Sequence, residues 1–397
     1  MNDLKLLYID ANYKLEIKSK YQLNKNNIDK YISILFNHKE DIEIEEKNDL
    51  YYLTVKGGFN VNNLYYFKII NDNVSFNNFK ERIIILKIKT EPLQLPIYFK
   101  EYLDKKIPII NEKIKNNDYS FIHFTDMHIN TNNMKSPSII KYLMENININ
   151  DIVFNGDIVT YYGFLIEAYD ELIKFKESFN DYQYLLVYGN HDSNAKKHKR
   201  EDCIIPLEHY KYLVADNSKV KYVKNKMYGI YEANNIKFII LDTGADLVSS
   251  FDDEELLYLQ EELLNTSADK HIIILAHKVF IGTSPYVLNP IIEISDVGNK
   301  IISCINKIKN KMQAKLVMLI SGHNHTDYYQ NVGFNALCRT CDASYFNASY
   351  DCKYPIRIDG TINEQAIDIV FVNTKKQKVE IMRIGCGDIK EDLILDY

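Results

Sequence analysis

No tryptophan occurs in this chain of 397 residues, and only 8 prolines and 14 glycines punctuate it. Long apolar runs are also missing. The longest, such as Ile83–Leu86 and Ile272–Ala276, are of strand length, far short of the ~20 residues that a bilayer-spanning helix needs. The reading therefore assigns no membrane partner. The N-terminus turns charged within a few residues and lacks the apolar core and cleavage site of a secretory signal, so a soluble, cytoplasmic protein is expected. A basic surplus is absent as well: 48 Lys and Arg stand against 54 Asp and Glu, a net charge of −6. That balance argues against a broad electrostatic grip on nucleic acid, while a local basic patch stays open.

Cysteine is sparse and weakly patterned. Cys338 and Cys341 form one C-x-x-C with Cys352 nearby, and Cys203, Cys304 and Cys386 are scattered. No second pair stands at zinc-finger spacing, so reduced, separate thiols are expected. Neither an internal repeat nor a low-complexity linker is visible. The 31 tyrosines point to β-structure and interface packing.

What is present suggests two domains, each with enough chain for its own core. In the first, Tyr13, Leu15 and Ile17 alternate with polar residues, as do Ile42 and Ile44, then Tyr51, Leu53 and Val55; this is the period of half-buried strands. A β-rich domain over residues 1–112 is expected, a small sandwich of about one hundred residues. Pro92, Pro96 and Pro108 then fall close together and mark a connection rather than an element interior.

From 113 to 397 the pattern becomes α/β. Short apolar strands at 121–125, 151–155, 184–188, 237–241, 271–276 and 316–321 alternate with helical segments. One helix carries Leu165, Ala168, Leu172, Phe175 and Phe179 at three- and four-residue steps; another follows Ser250 with Asp252, Asp253, Glu254 and Glu255 in its first turn.

Polar groups concentrate where five of these strands stop. The ends read Asp126-Met127-His128, Gly156-Asp157, Gly189-Asn190-His191-Asp192, His277, and Gly322-His323-Asn324-His325. Ligand sites in open α/β sheets gather at strand ends of this kind. Imidazole and carboxylate donors without thiolate suit borderline transition metals, and seven candidate ligands are too many for one tetrahedral ion. Two ions sharing a bridging carboxylate fit better, with Asp157 the candidate bridge. Gly156, Gly189 and Gly322 each precede a candidate ligand, where the chain must turn sharply out of a strand.

The ordered set D-x-H, G-D, G-N-H-D, H, G-H-x-H resembles the calcineurin-like metallophosphoesterase superfamily, and within it the branch of the class III cyclic nucleotide phosphodiesterases. The resemblance covers residues 120–326, with strands to about Arg383 completing the second sheet. It implies a four-layer sandwich of two mixed β-sheets flanked by helices, preceded here by the β-rich domain. It further implies two transition metal ions (Mn²⁺, Fe²⁺ or Fe³⁺, Zn²⁺ or Ni²⁺). Asp126, His128, Asp157 and His325 would hold one, and Asp157, Asn190, His277 and His323 the other. His191 would be the proton donor and Asp192 a supporting residue beside it, and a hydroxide bridging the two metals would attack the phosphoester substrate.

Blander roles compete at several positions. His277 is marked only by its strand end, with His271 at the opposite end of the same strand as rival. His323 and His325 would face opposite ways if their segment were extended. His123 reads as a packed core residue, and His38 belongs to the first domain. His198 and His209, with Lys196, Lys197, Lys199 and Arg200, read as a solvated face or a grip on substrate phosphate. Tyr161, Tyr162 and Tyr286 are candidates to border the pocket.

Three other functions remain open on this reading. One is a scaffold with the same fold and no chemistry. Another is a phosphodiesterase of phage or low-GC bacterial type, whose first domain docks to a virion or cell-surface polymer; the segment Ile367–Gly387 resembles the tail of such enzymes. The last is a DNA-repair nuclease, which the acidic charge and the Ile-Val-Thr-Tyr-Tyr after Asp157 disfavour.

Overall fold

A computed structural model of the chain describes residues 3–36, 41–61, 63–89, 94–129, 135–160, 164–194, 204–243, 251–282, 292–339, 360–387 and 392–397. Tyr161, Tyr162, Tyr286, His38, His198, the basic run 196–200, Cys203, Cys341 and Cys352 lie outside the described residues. The chain divides into two compact units, Met1–Pro92 with Phe164–Asp170, and Leu93–Gly163 with Glu171–Tyr397.

The first unit is built from eight strands: β1 (Leu4–Tyr8), β2 (Leu15–Ser19), β3 (Ile32–Phe36), β4 (Ile42–Lys47), β5 (Leu50–Val55), β6 (Leu64–Ile69), β7 (Val74–Phe76) and β8 (Ile83–Lys87). They form two four-stranded sheets, ordered β1-β8-β6-β3 and β4-β5-β2-β7. One core joins them: Ile17, Leu53 and Phe76 from one sheet meet Ile32, Phe67 and Ile84 from the other. The alternation in β2 and β5 comes from this packing, since every second side chain points inward. By contrast β6, buried at five of its six positions, has no alternation to read.

Between residues 92 and 117, where clustered prolines predict a connection, the chain forms helix α1 (Ile97–Lys115) with Pro108 inside it. Burial of Phe99, Leu103 and Ile110 on one face outweighs the hydrogen bond that proline removes, because tertiary packing supplies most helix stability.

In the second unit, strands and helices alternate as the sequence predicts: β9 (Tyr119–Phe124), α2 (Lys135–Asn146), β10 (Asp151–Asn155), α3 (Leu165–Phe179, of which the part from Glu171 belongs to this unit), β11 (Leu185–Val187) and α4 (Leu207–Tyr210). There follow β12 (Lys221–Tyr222), β13 (Gly229–Ala233), β14 (Ile236–Ile240), α5 (Asp253–Asn265), β15 (His271–Leu275), β16 (Phe280–Gly282), β17 (Ile292–Ile294) and α6 (Asp296–Ile308). The last elements are β18 (Lys315–Ser321), β19 (Tyr328–Asn331), β20 (Asn335–Cys338), β21 (Ala366–Asn373), β22 (Lys378–Gly385) and β23 (Leu393–Asp396). Asp252 caps α5, its side chain accepting from Glu255 N, which satisfies one of the orphan donors at a helix start.

Two mixed sheets result, a six-stranded one ordered β11-β10-β9-β21-β22-β23 and a seven-stranded one ordered β12-β13-β14-β15-β18-β20-β19. Phe121, Val153 and Val370 of the first pack on Phe238, Ile273 and Ile320 of the second, forming the layer between them. On the far side of the seven-stranded sheet, Ile239, Ile274 and Leu319 meet Leu259 and Leu263 of α5 and Ile301 and Ile305 of α6. On the six-stranded sheet, Phe154 of β10 packs against Phe175 and Phe179 of α3. The layers run helix, sheet, sheet, helix. Strands β9, β10 and β11 run parallel in one sheet, and β14, β15, β18 and β20 in the other. Among the described residues, no helix is long and apolar enough to cross a membrane.

Candidate metal centre

The C-terminal ends of parallel strands from both sheets meet at one place. From the six-stranded sheet come Asp126 and His128 after β9, Asp157 after β10 and Asn190 after β11; from the seven-stranded sheet come His277 after β15 and His323 and His325 after β18. The loops after β9 and β10 continue side by side beyond their strands. Asp126 N donates to Gly156 O, His128 N to Asp157 O and Ile129 N to Ile158 O, each at 3.0 Å.

Left-handed backbone makes the convergence possible. Asp126 (φ 53°), His128 (φ 42°), Asp157 (φ 56°), His323 (φ 75°) and His325 (φ 51°) all occupy it, a conformation few non-glycine residues adopt and one that clusters at functional sites. Here lies the answer to the alternation in Gly322–His325: the segment coils instead of extending, and both imidazoles reach the site. The glycines divide. Gly156 has φ +90° and needs its conformational freedom. Gly189 and Gly322 are required for space, because a Cβ on Gly189 would overlap Asp157 and one on Gly322 would overlap Thr125 and Asp126.

Three sets of side chains offer ligand atoms within 4.8 Å of one another: Asp126 with His128 and His325; His128 with Asp157 and His191; and Asp157 with His277 and His323. Asp157 therefore stands between the two halves. Its Oδ2 lies 3.0 Å from His277 Nε2, 3.8 Å from His191 Nε2 and 4.0 Å from His128 Nε2. Asp126 Oδ1 lies 3.5 Å from His325 Nε2 and 3.8 Å from His277 Nε2.

Hydrogen bonds behind the site set the histidine tautomers. His128 Nδ1 lies 3.1 Å from Val159 O and His277 Nδ1 2.7 Å from Asn155 O. A carbonyl only accepts, so each Nδ1 carries a proton and each Nε2 faces inward. His128 presents its lone pair there, as a metal-binding imidazole does, whereas His277 Nε2 faces Asp157 Oδ2 at 3.0 Å and would present its lone pair once a cation displaced its second proton. Asp126 is held by Thr125 Oγ1 (2.7 Å) and by His323 N (3.1 Å to both oxygens).

Charge is under tension here. Asp126 and Asp157 are each 1% exposed. Burial drives the Asp126 carboxyl up, whereas Asp157, opposed by burial, is held well below the usual carboxylate range by His277 and His191. His277 overcomes burial through Asp157 and Asp126 and rises to about 9. Burial keeps His128 and His323 well below the usual imidazole range, in the neutral form that binds metal. Asn190 Oδ1 is buried without a hydrogen-bond partner. Two buried carboxylates, neutral imidazoles and an orphaned amide oxygen are what a cation pair satisfies; the residues fit the group.

Asp192 does a different job. Its Oδ1 accepts from Ile158 N (2.8 Å) and Val159 N (3.2 Å), and its Oδ2 from Gly189 N (2.8 Å) and Tyr210 OH (3.2 Å). It ties the loop after β10 to the loop after β11. Burial and the Asp157 charge push its carboxyl up to about 7. His191 sits at the mouth of the site, its side chain 20% exposed, with its backbone N donating to Asp157 Oδ1 at 2.9 Å.

Among the described residues, the remaining histidines pack away from the site. His123 is fully buried beside Asn155 Nδ2 at 3.2 Å. His271, the rival to His277, bonds Tyr397 OH at 2.9 Å at the other end of β15. His209 corrects the reading of a solvated face: it is 2% exposed, because the short helix α4 turns it inward. Among the described residues Cys304, Cys338 and Cys386 are buried and form no disulfide. Sequence reasoning missed Thr125 and the backbone of Asn155 and Val159, whose only signal is position next to a ligand.

The calcineurin-like phosphoesterase family model matches residues 119–327. No curated protein matches the chain. Among solved structures, the chain is similar to purple acid phosphatase PPD1 from yellow lupin (14% identity, 92% of this chain and 70% of that one, TM-score 0.45). It is also similar to Vacuolar Protein Sorting 29 from Cryptosporidium parvum (13%, 70% and 97%, 0.33) and a 5′-nucleotidase from Candida albicans (14%, 65% and 47%, 0.33). The family match spans more than half the chain and takes in all the residues gathered at the strand ends, so this chain belongs to the calcineurin-like phosphoesterase family.

Proposed function

We propose that this chain hydrolyses phosphoester bonds in a metal-dependent reaction, phosphodiesters ahead of monoesters. The observation that carries the reading is Asp157, shared between ligand-spaced sets contributed by two sheets. Asp126, His128, Asp157 and His325 would hold one cation, and Asp157, Asn190, His277 and His323 the other. When bound, such a pair supplies Lewis-acid polarisation of the phosphoryl oxygens and acidifies water. His128 and His277, each with Nδ1 committed to a carbonyl, aim Nε2 into the site, and His277 would give up its second proton on binding a cation. His191, at the mouth, donates a proton to the leaving oxygen. Asp192 holds the loop that carries His191. The preference for diesters rests on the motif order, which resembles the class III cyclic nucleotide phosphodiesterase branch.

The test is hydrolysis of bis-p-nitrophenyl phosphate and p-nitrophenyl phosphate by Mn²⁺-reconstituted protein. Turnover of the diester above the monoester is expected. Inactivity on both, across Mn²⁺, Zn²⁺, Fe²⁺ and Ni²⁺, would overturn the reading in favour of a non-catalytic scaffold.

A second reading concerns the β-rich unit, which has its own core and no ligand in the proposed centre. We propose that it docks a cytoplasmic or virion-associated enzyme to a larger partner, such as a virion or a phosphate-containing cell-surface polymer. Deleting residues 1–92, which leaves helix α1 with the second unit, should spare small-substrate turnover and lose binding to the polymer; retained binding would refute it.

A further inference from the structure

Behind the loop that carries His323 and His325 lie four charged groups from four separate stretches. Asp368 of β21 is 0% exposed. Arg339, which follows β20, donates to it through Nε (2.7 Å) and Nη2 (3.0 Å), and Arg383 of β22 donates through Nε (2.7 Å). Both guanidinium groups also reach Asp327: Arg383 Nη2 at 3.0 Å from Oδ1, and Arg339 Nη1 at 3.5 Å from Oδ2. Two cations and two anions balance, which makes a buried cluster tolerable, and planar guanidinium forks are suited to gripping two carboxylates at once.

Asp368 alone would give each arginine a partner and would join β20 to β21. The second carboxylate is therefore surplus to that structural need, and it lies two residues after His325. The other end of the loop is fixed independently: Cys338 Sγ donates to Gly322 O at 3.0 Å, and Arg339 N to Ser321 O at 2.9 Å. Between these anchors His323 and His325 both hold left-handed backbone, which persists only where the surroundings over-determine it.

We propose that Asp327, gripped by Arg339 and Arg383 and backed by Asp368, is a positioning residue. It locks the Gly322–Asp327 loop in the coiled form that aims His323 and His325 at the two cation positions. The proposal rests on the metal-dependent reading above.

The test is an Mn²⁺ titration followed by electron paramagnetic resonance on full-length wild type, Asp327→Asn and Glu262→Gln. Glu262 pairs with Lys237 at 2.6 Å on α5, away from the loop, so its variant controls for lost ion pairing alone. Wild type should bind two ions. Asp327→Asn should lose about 10–100-fold in affinity for at least one of them, the range seen when support behind a ligand is removed, and Glu262→Gln should bind as wild type does. If Asp327→Asn fails to fold, Asp327→Glu, which shifts the carboxylate by one methylene, carries the same expectation. Wild-type affinity in the Asp327 variant, or equal weakening in Glu262→Gln, would overturn the proposal while leaving the metal centre standing. A wild-type protein that binds no metal would instead remove the functional reading itself, and this one with it.

Discussion

His277 joins the two sheets at the site: its Nδ1 is bonded to Asn155 O at 2.7 Å, and its Nε2 stands 3.0 Å from Asp157 Oδ2. Asn155 and Asp157 come from the end of β10 in the six-stranded sheet, whereas His277 ends β15 in the seven-stranded one. One imidazole thus reads the position of the other sheet twice, once through a backbone carbonyl and once through the carboxylate proposed as the bridge.

Asp157→Asn is expected to remove the bridge while keeping the shape. Metal content by elemental analysis should fall from two ions per chain to one or none, and diester turnover should fall roughly 10³-fold or more, at or beyond the upper end for loss of a single charge-stabilising group. An Asn variant with two ions and near-normal turnover would refute the bridging role.

Gly189→Ala should be costly at a position with ordinary backbone. Its Cβ would overlap Asp157, so the loop after β11 must retreat and carry Asn190 and His191 with it. Overpacking of this sort costs about 1–3 kcal/mol, measurable by urea unfolding, and Mn²⁺ affinity should weaken in the same variant. An unchanged unfolding midpoint would show that the loops have slack.

Metal should stabilise the fold. A cation that binds the folded site and not the unfolded chain stabilises the former, so Mn²⁺ at 100-fold above its dissociation constant should add about 2.7 kcal/mol. The thermal unfolding midpoint should rise with Mn²⁺ and drop with chelator in wild type, and move far less in Asp157→Asn. A midpoint indifferent to Mn²⁺ would count against a resident metal.

Away from the site, Glu255 gives a pH prediction. It is 1% exposed and accepts from Asp242 N at 2.6 Å; burial, then the Asp242 charge, push its carboxyl up to about 9. Between the unfolded value near 4.5 and that value the native chain binds more protons than the unfolded one. The stability Glu255 confers is therefore full below pH 4.5 and declines as pH rises towards 9, by at most about 1.4 kcal/mol per unit. Glu255→Gln keeps an acceptor for Asp242 N and should flatten the slope of unfolding free energy between pH 5 and 9. Identical slopes in both proteins would exclude Glu255 as the cause.

Much of the centre was legible in the sequence because parallel strands stop abruptly at polar residues. The strands before Asp126, Asp157 and His277 are buried on both faces throughout, and the one before His323 from Val317 onward, so their ends stand out without any alternation. Strand-end position alone separated His277 from His271, and the topology places them at opposite ends of β15. What could not be read is conformation at non-glycine residues: nothing in the letters Asp126, His128 or His325 announces a positive φ. Helix α1 was hidden by Pro108, since the burial that rescues it depends on tertiary neighbours. The Asp327, Arg339, Asp368 and Arg383 quartet was equally invisible, because its members share no spacing and meet only after β21 and β22 join the sheet that holds β9.

The division of donors between the sheets has a mechanical outcome. Asp126, His128, Asp157 and Asn190 ride on one sheet; His277, His323 and His325 ride on the other. A cation pair seated among them would act as a rivet through the sandwich, and its spacing would register any sliding of one layer over its neighbour. Thinning the packing between Phe121 and Phe238, deep in the layer between the sheets, would then loosen the rivet from a distance, with every ligand still in place.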